Sequence, residues 1–154
     1  MKTRKLSLFS CSSILLISAV VFSDCKSNSI ALAYGEMEKA MQSEAKSYIG
    51  AITRAQQAYR LENPSFASTF TDLKIGLPTR TENYIYKITS ASKNSTTIEA
   101  ISLKPKKLRS YAGKVITDKG GGTKAMTCQT TEPSNKPPIP DPATLTCKTG
   151  EPMN

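Results

Sequence analysis

The chain has 154 residues, 21 basic against 12 acidic side chains for a formal net charge of +9, four cysteines and no histidine. That length suits one modest domain. The missing imidazole removes the commonest general base and metal ligand, which excludes catalytic triads built on histidine and leaves a zinc site short of ligands.

The chain opens on Met-Lys-Thr-Arg-Lys, charged at Lys2, Arg4 and Lys5, and enters an apolar, serine-diluted run from Leu6 to Phe22. A positive head before a short apolar run is the pattern of a secretory signal. A spanning helix wants about 20 predominantly apolar residues, more than this run supplies. Three fates remain open. Ala31-Leu32-Ala33 offers small residues for cleavage before Tyr34, Cys25 is a candidate for lipidation, and the segment could stay as an uncut anchor. Asp24 beside Cys25 departs from the small residue a lipoprotein box carries. All three place the rest of the chain outside the cytoplasm, in the periplasm, on the cell surface or beyond, with the membrane met only through the N-terminal segment. The expected division is therefore 1–33 as signal peptide or anchor, 34–131 as an α+β domain, and 132–154 as a Pro-rich C-terminal segment.

From Glu36 to Glu62, Met37, Met41, Ala45, Tyr48, Ile49, Ile52, Ala55 and Tyr59 recur at three- and four-residue steps, so a long amphipathic helix is expected. Glutamates at 36, 38 and 44 suit its start and Arg54 and Arg60 its end. Asn63-Pro64 stops it, because the residue before a proline is pushed out of the α region. Thr71-Asp72-Leu73 predicts a single helical turn closed by Gly76-Leu77-Pro78. Strands are expected over Tyr84 to Thr89, Thr96 to Leu103, Tyr111 to Thr117 and Thr123 to Gln129, joined in hairpin order by Ser92-Lys93-Asn94-Ser95 and Asp118-Lys119-Gly120-Gly121-Gly122. One helix and four such strands imply an antiparallel meander with a face under the helix.

Charge is uneven along this layout. Residues 34–73 hold four basic and five acidic side chains, a net of −1, while residues 74–127 hold eleven basic and three acidic, a net of +8. Lys104, Lys106, Lys107 and Arg109 form the densest basic run and are the candidate anion-binding residues, for nucleic acid or an anionic envelope polymer, with Lys93, Lys114 and Lys124 expected beside them. A solvated surface is the simpler reading of the same run, since stacking groups are few.

Cys11 and Cys25 belong to the N-terminal segment, which leaves Cys128 and Cys147 as an even pair in an oxidising compartment, and a disulfide is expected. The intervening loop, with Pro133, Pro137, Pro138, Pro140 and Pro142, is not expected to form regular structure of its own. Lys119-Gly120-Gly121-Gly122-Thr123-Lys124 has the look of a phosphate loop, but strands flank it and a hairpin turn fits better. The tyrosines at 48, 59, 84, 86 and 111 fall on the helix stripe and on strand faces, where they suit a core better than a carbohydrate platform. The acidic residues are scattered, so no catalytic residue, metal or cofactor is assigned.

Glu44-Ala45-Lys46-Ser47-Tyr48-Ile49-Gly50, Arg54-Ala55-Gln56-Gln57-Ala58-Tyr59, Phe66-Ala67, Asp72-Leu73, Gly76-Leu77-Pro78, Asn83-Tyr84-Ile85-Tyr86 and Leu108-Arg109-Ser110-Tyr111-Ala112-Gly113, in this order and spacing, resemble the type IV pilin-like G/H proteins. The resemblance spans roughly residues 43–131. It implies a pilin-like head, one long N-terminal helix packed on an antiparallel sheet of about four strands with a disulfide near the C-terminus, and no enzymatic activity. One departure is large. Assembling pilins carry a glycine cleavage site before a long apolar segment with a glutamate near its start, whereas here the segment after Gly35 is polar, Glu36-Met37-Glu38-Lys39. The expectation is a non-enzymatic exported protein of the cell envelope or surface, associated with type IV pilus or secretion machinery through protein contacts. The alternative is a module binding DNA or an anionic polymer through its basic side.

Overall fold

The computed structural model describes residues 24–153, with side-chain surroundings from residue 32 onward. Helix α1 spans Asp24–Glu62, 39 residues and about 58 Å at 1.5 Å per residue. It starts twelve residues before the expected Glu36, because no proline stands between Asp24 and Asn63 and Gly35 alone does not break a helix. The expected cleavage stretch Ala31-Leu32-Ala33 thus lies within α1; the Leu6–Phe22 run lies outside the described residues.

The helix ends as its sequence demands. Asn63 Nδ2 donates to the Tyr59 carbonyl (2.8 Å) and Arg60 Nη1 to the Asn63 carbonyl (2.9 Å), satisfying oxygens that have no partner in the last turn. Buried Gln56 then holds the following loop. Its Nε2 donates to the Ala67 carbonyl at 2.8 Å and its Oε1 accepts from the Ala67 amide at 3.0 Å, so one side chain pairs both backbone groups of a buried residue. The expected helical turn is present as α2 (Phe70–Leu73), capped by Thr69, whose Oγ1 accepts from the Asp72 amide.

Strands β1 (Tyr84–Ala91), β2 (Ser95–Ser102), β3 (Tyr111–Thr117) and β4 (Thr123–Gln129) form the expected antiparallel meander. The C-terminal segment departs from expectation. Although rich in proline, it forms β5 (Pro140–Asp141), β6 (Thr146–Cys147) and β7 (Glu151–Pro152). β5 and β6 pair as a two-stranded ribbon, and β7 adds to β4 to give the order β1-β2-β3-β4-β7. Each of these strands is only two residues long, so a proline removes few ladder bonds, and neighbouring structure supplies the rest.

Alternation within the register sorts the sheet into two faces. Tyr84, Tyr86, Ile98, Ala100, Tyr111, Gly113 and Val115 look toward α1, where Ala45, Ile49 and Ile52 meet them in one buried core. The helix lies close over Gly113: a Cβ built there would lie 2.6 Å from Thr53 Oγ1 and 3.5 Å from Ile49 Cγ2. On the opposite face, Ala112 pairs with Cys128, and both are fully buried. Cys128 is bonded to Cys147 of β6, with Cα atoms 5.9 Å apart, which lays the C-terminal ribbon over that face. The sheet is therefore sandwiched, by helix on one side and by a disulfide-held strap on part of the other.

Candidate functional site

Among the described residues, no three histidine, cysteine, aspartate or glutamate side chains gather closely enough to hold a metal ion. The glycine-rich turn after β3 is a hairpin. Asp118 Oδ1 accepts from the amides of Gly120 (3.0 Å) and Gly122 (2.8 Å), so a carboxylate already fills the nest of N–H groups that a phosphate would need.

Tyr48, Tyr84, Tyr86 and Tyr111 form a stack with ring centroids 5.2 to 6.2 Å apart. Tyr84 Oη donates to the Arg109 carbonyl and Tyr111 pairs with Gln42 Oε1, both at 3.1 Å. Desolvation raises the pKa of all three strand tyrosines, that of Tyr111 to about 12. Their role is to fill the core, and they offer no platform for a sugar.

The molecule has two poles. At one, the α1 C-terminus meets the β1–β2 hairpin, where Arg60 Nε donates to the Lys93 carbonyl at 3.1 Å. At the other, the loop from β2 to β3 reaches the first half of α1. The basic residues divide accordingly. Lys93 and Lys119 sit at the first pole, while Lys104, Lys106 and Lys107 sit in the loop at the second. Lys114 lies on the sheet face turned away from α1 and donates to Thr97 Oγ1. The basic cluster expected around the loop is thus smaller than the sequence suggested, because the strands between its members run the length of the sheet.

Within the loop the four candidates differ. Arg109 is held by Glu151 (2.6 Å), which also accepts from Gln129 Nε2 at 2.8 Å. These bonds, the Gln129 amide first and the Arg109 guanidinium next, hold the Glu151 carboxyl below its ordinary range. Lys104 Nζ donates to Asn83 Oδ1 at 2.7 Å. Lys107 Nζ stands 5.7 Å from the Tyr34 ring centroid, and the Lys106 side chain has neither ion pair nor hydrogen bond among the described residues. Arg109 is structural, and Lys106 and Lys107 are the cations open to a partner.

Between this loop and α1 lies an apolar groove of about 480 Å³, lined by Tyr34, Met37, Met41, Pro105 and Leu108 with the lysines at its rim and Glu38 as its one acid. Leu32, Tyr34 and Met37 remain 71%, 54% and 48% exposed. The sequence reading placed the basic residues and put Met37 and Met41 on the helix stripe, but it did not extend the stripe to Tyr34, which continues it at the same spacing, nor foresee the groove.

A long helix laid over an antiparallel meander with a disulfide-held C-terminal strap is the architecture of a pilin-like head domain. The type IV pilin-like G and H family matches residues 42–150, more than two thirds of the chain, and the protein belongs to that family. The match includes the Pro-rich segment up to Gly150, beyond the stretch that carried the resemblance in sequence. No curated protein matches the chain.

Proposed function

We propose that this protein is a non-enzymatic, exported head domain of the cell envelope or surface, associated with type IV pilus or secretion machinery through protein contacts. The observation that carries the reading is the geometry of α1. Its C-terminal half holds the head together, while its N-terminal half continues past the sheet with apolar side chains in solvent. A helix that outruns its own domain is a natural stalk or handle. The Cys128–Cys147 bond supports an oxidising compartment, and the basic head of the sequence before Leu6–Phe22 supports export.

Binding of DNA or an anionic polymer is the second reading. It is supported by Lys106 and Lys107 alone, because Arg109 is committed to Glu151, Lys104 is bonded to Asn83, and Lys93, Lys114 and Lys119 lie elsewhere on the molecule. The experiment for the first reading is protease accessibility in native cells with the cytoplasmic membrane left sealed, alongside thiol trapping of the two cysteines. Digestion of the head with both cysteines oxidised is expected. A protected head with free thiols would overturn export.

A further inference from the structure

We infer that the groove between the first half of α1 and the β2–β3 loop is a docking surface for anionic phospholipid at a membrane face. The inference rests on the reading of the chain as exported, and names a contact that reading leaves open.

Three observations converge. The first is composition: an apolar floor of Tyr34, Met37, Met41, Pro105 and Leu108 bordered by Lys104, Lys106 and Lys107. Interfacial surfaces that settle among headgroups combine those two kinds of side chain, apolar groups entering the acyl boundary and cations meeting phosphates. The second is exposure. Tyr34 and Met37 are 54% and 48% exposed along the groove, whereas the stripe positions from Ala45 to Tyr59 are buried or half-buried against the sheet. The third is position along the chain. Phe22 closes the apolar run two residues before α1 begins at Asp24, and along the helix Tyr34 lies about 15 Å from Asp24 whereas Arg60, beside Lys93, lies about 54 Å from it. An anchor formed by that run therefore keeps this pole, and not the pole of Lys93 and Lys119, within reach of its own bilayer.

The local charges agree. Glu36 is paired with Lys39 at 2.8 Å and stands two residues from Tyr34, so on the far side of the helix. Glu38 is the one acid in the groove, against three lysines. Lys107 Nζ already stands over the Tyr34 ring, 5.7 Å from its centroid, so a cation and an exposed aromatic of the groove are neighbours. An acidic protein segment is the rival occupant, but it has no counterpart to the nearness of the apolar run.

The test places the full chain in vesicles of phosphatidylcholine alone or with phosphatidylglycerol, and reads the reactivity of each lysine amine by footprinting. Any anchoring by Leu6–Phe22 is common to both vesicles and cancels. Lys106 and Lys107 should react about fivefold more slowly in the anionic vesicles, recovering at high salt, with Lys93 and Lys119 unchanged as internal references. Tyr34→Ser with Met37→Ser, both exposed positions, should shrink that protection while all lysines remain. Equal reactivity in the two vesicles would overturn the proposal. So would protection by soluble DNA or an acidic protein without any by the anionic vesicles. A cytoplasmic location in the protease experiment would sink the export reading separately, because the vesicle footprint does not depend on where the cell keeps the chain.

Discussion

The two halves of α1 carry one apolar stripe and meet two fates. From Ala45 to Tyr59 the stripe lies against the strand tyrosines and Ile98, with Ala45, Ile49 and Ile52 fully buried. From Tyr34 to Met41 the same spacing meets the β2–β3 loop at Pro105 and Leu108, and Tyr34 and Met37 stay about half exposed. Period alone specifies a helix with a preferred face. Whether the face becomes core or contact surface depends on what the rest of the chain brings to it. The buried half should therefore govern stability, and the open half should govern association.

The sharpest way to break this comparison is to truncate one side chain in each half. Ile52→Ala should cost about 2–5 kcal/mol in denaturant unfolding through lost burial and a cavity. Met37→Ala should stay within about 0.5 kcal/mol, as exposed positions do. Equal losses would mean that the open half is covered in the free protein. Next in size is the strap. Replacing Cys128 and Cys147 together by serine should lower stability by about 3 kcal/mol, since the bond closes a loop of sequence separation 19 in the unfolded chain. The groove on α1 should be unaffected, which lysine footprinting of Lys107 would check.

A smaller effect is expected where the helix touches the sheet. Gly113→Ala would drive a methyl into Thr53 Oγ1 and should cost about 1–3 kcal/mol. Adding Thr53→Ala should recover much of that loss, and strict additivity in the double-mutant cycle would show that the contact is not the cause. The hydroxyl of Thr53 is buried without a partner, so Thr53→Val alone should be neutral or stabilise by up to about 1 kcal/mol.

The smallest effect is pH-dependent and confined to β7. The folded Glu151 carboxyl is depressed by its bonds from Gln129 and Arg109. Its contribution is therefore complete above the unfolded value of about 4.3 and is lost as pH falls from there through the lower folded value. Protection of the Met153 amide, which donates to the Thr127 carbonyl at 3.1 Å, should weaken over that window ahead of the core strands. Protection that stays level down to the acid unfolding of the whole domain would remove Glu151 from that role.

Much of the fold was legible because its determinants are local. Asn63-Pro64 fixes the end of α1, Tyr84-Ile85-Tyr86 announces β1, and the glycines after Asp118 mark the hairpin that follows β3. The start of α1 was not, because a helix without a breaker simply continues and twelve further residues carry no stop signal. Nor was the order of the C-terminal segment, whose two-residue strands hold by pairing with Pro140, Cys147 and β4 and not by their own propensity. At the candidate site, the lysines were visible in sequence, but the salt bridge that removes Arg109 joins residues 42 positions apart.

The sequence by itself determined the one-helix, four-strand order, the cysteine pair that bridges, and the absence of histidine chemistry. These follow from composition and from periodicities of two and 3.6 residues, which act within a few neighbours. Only the tertiary structure decided which basic residues stand together, which half of the stripe is left open, and that Gly113 lies directly under Thr53 of α1. Those outcomes depend on the register between strands and on where a long helix crosses them, and such distances are set by packing between segments far apart in the chain.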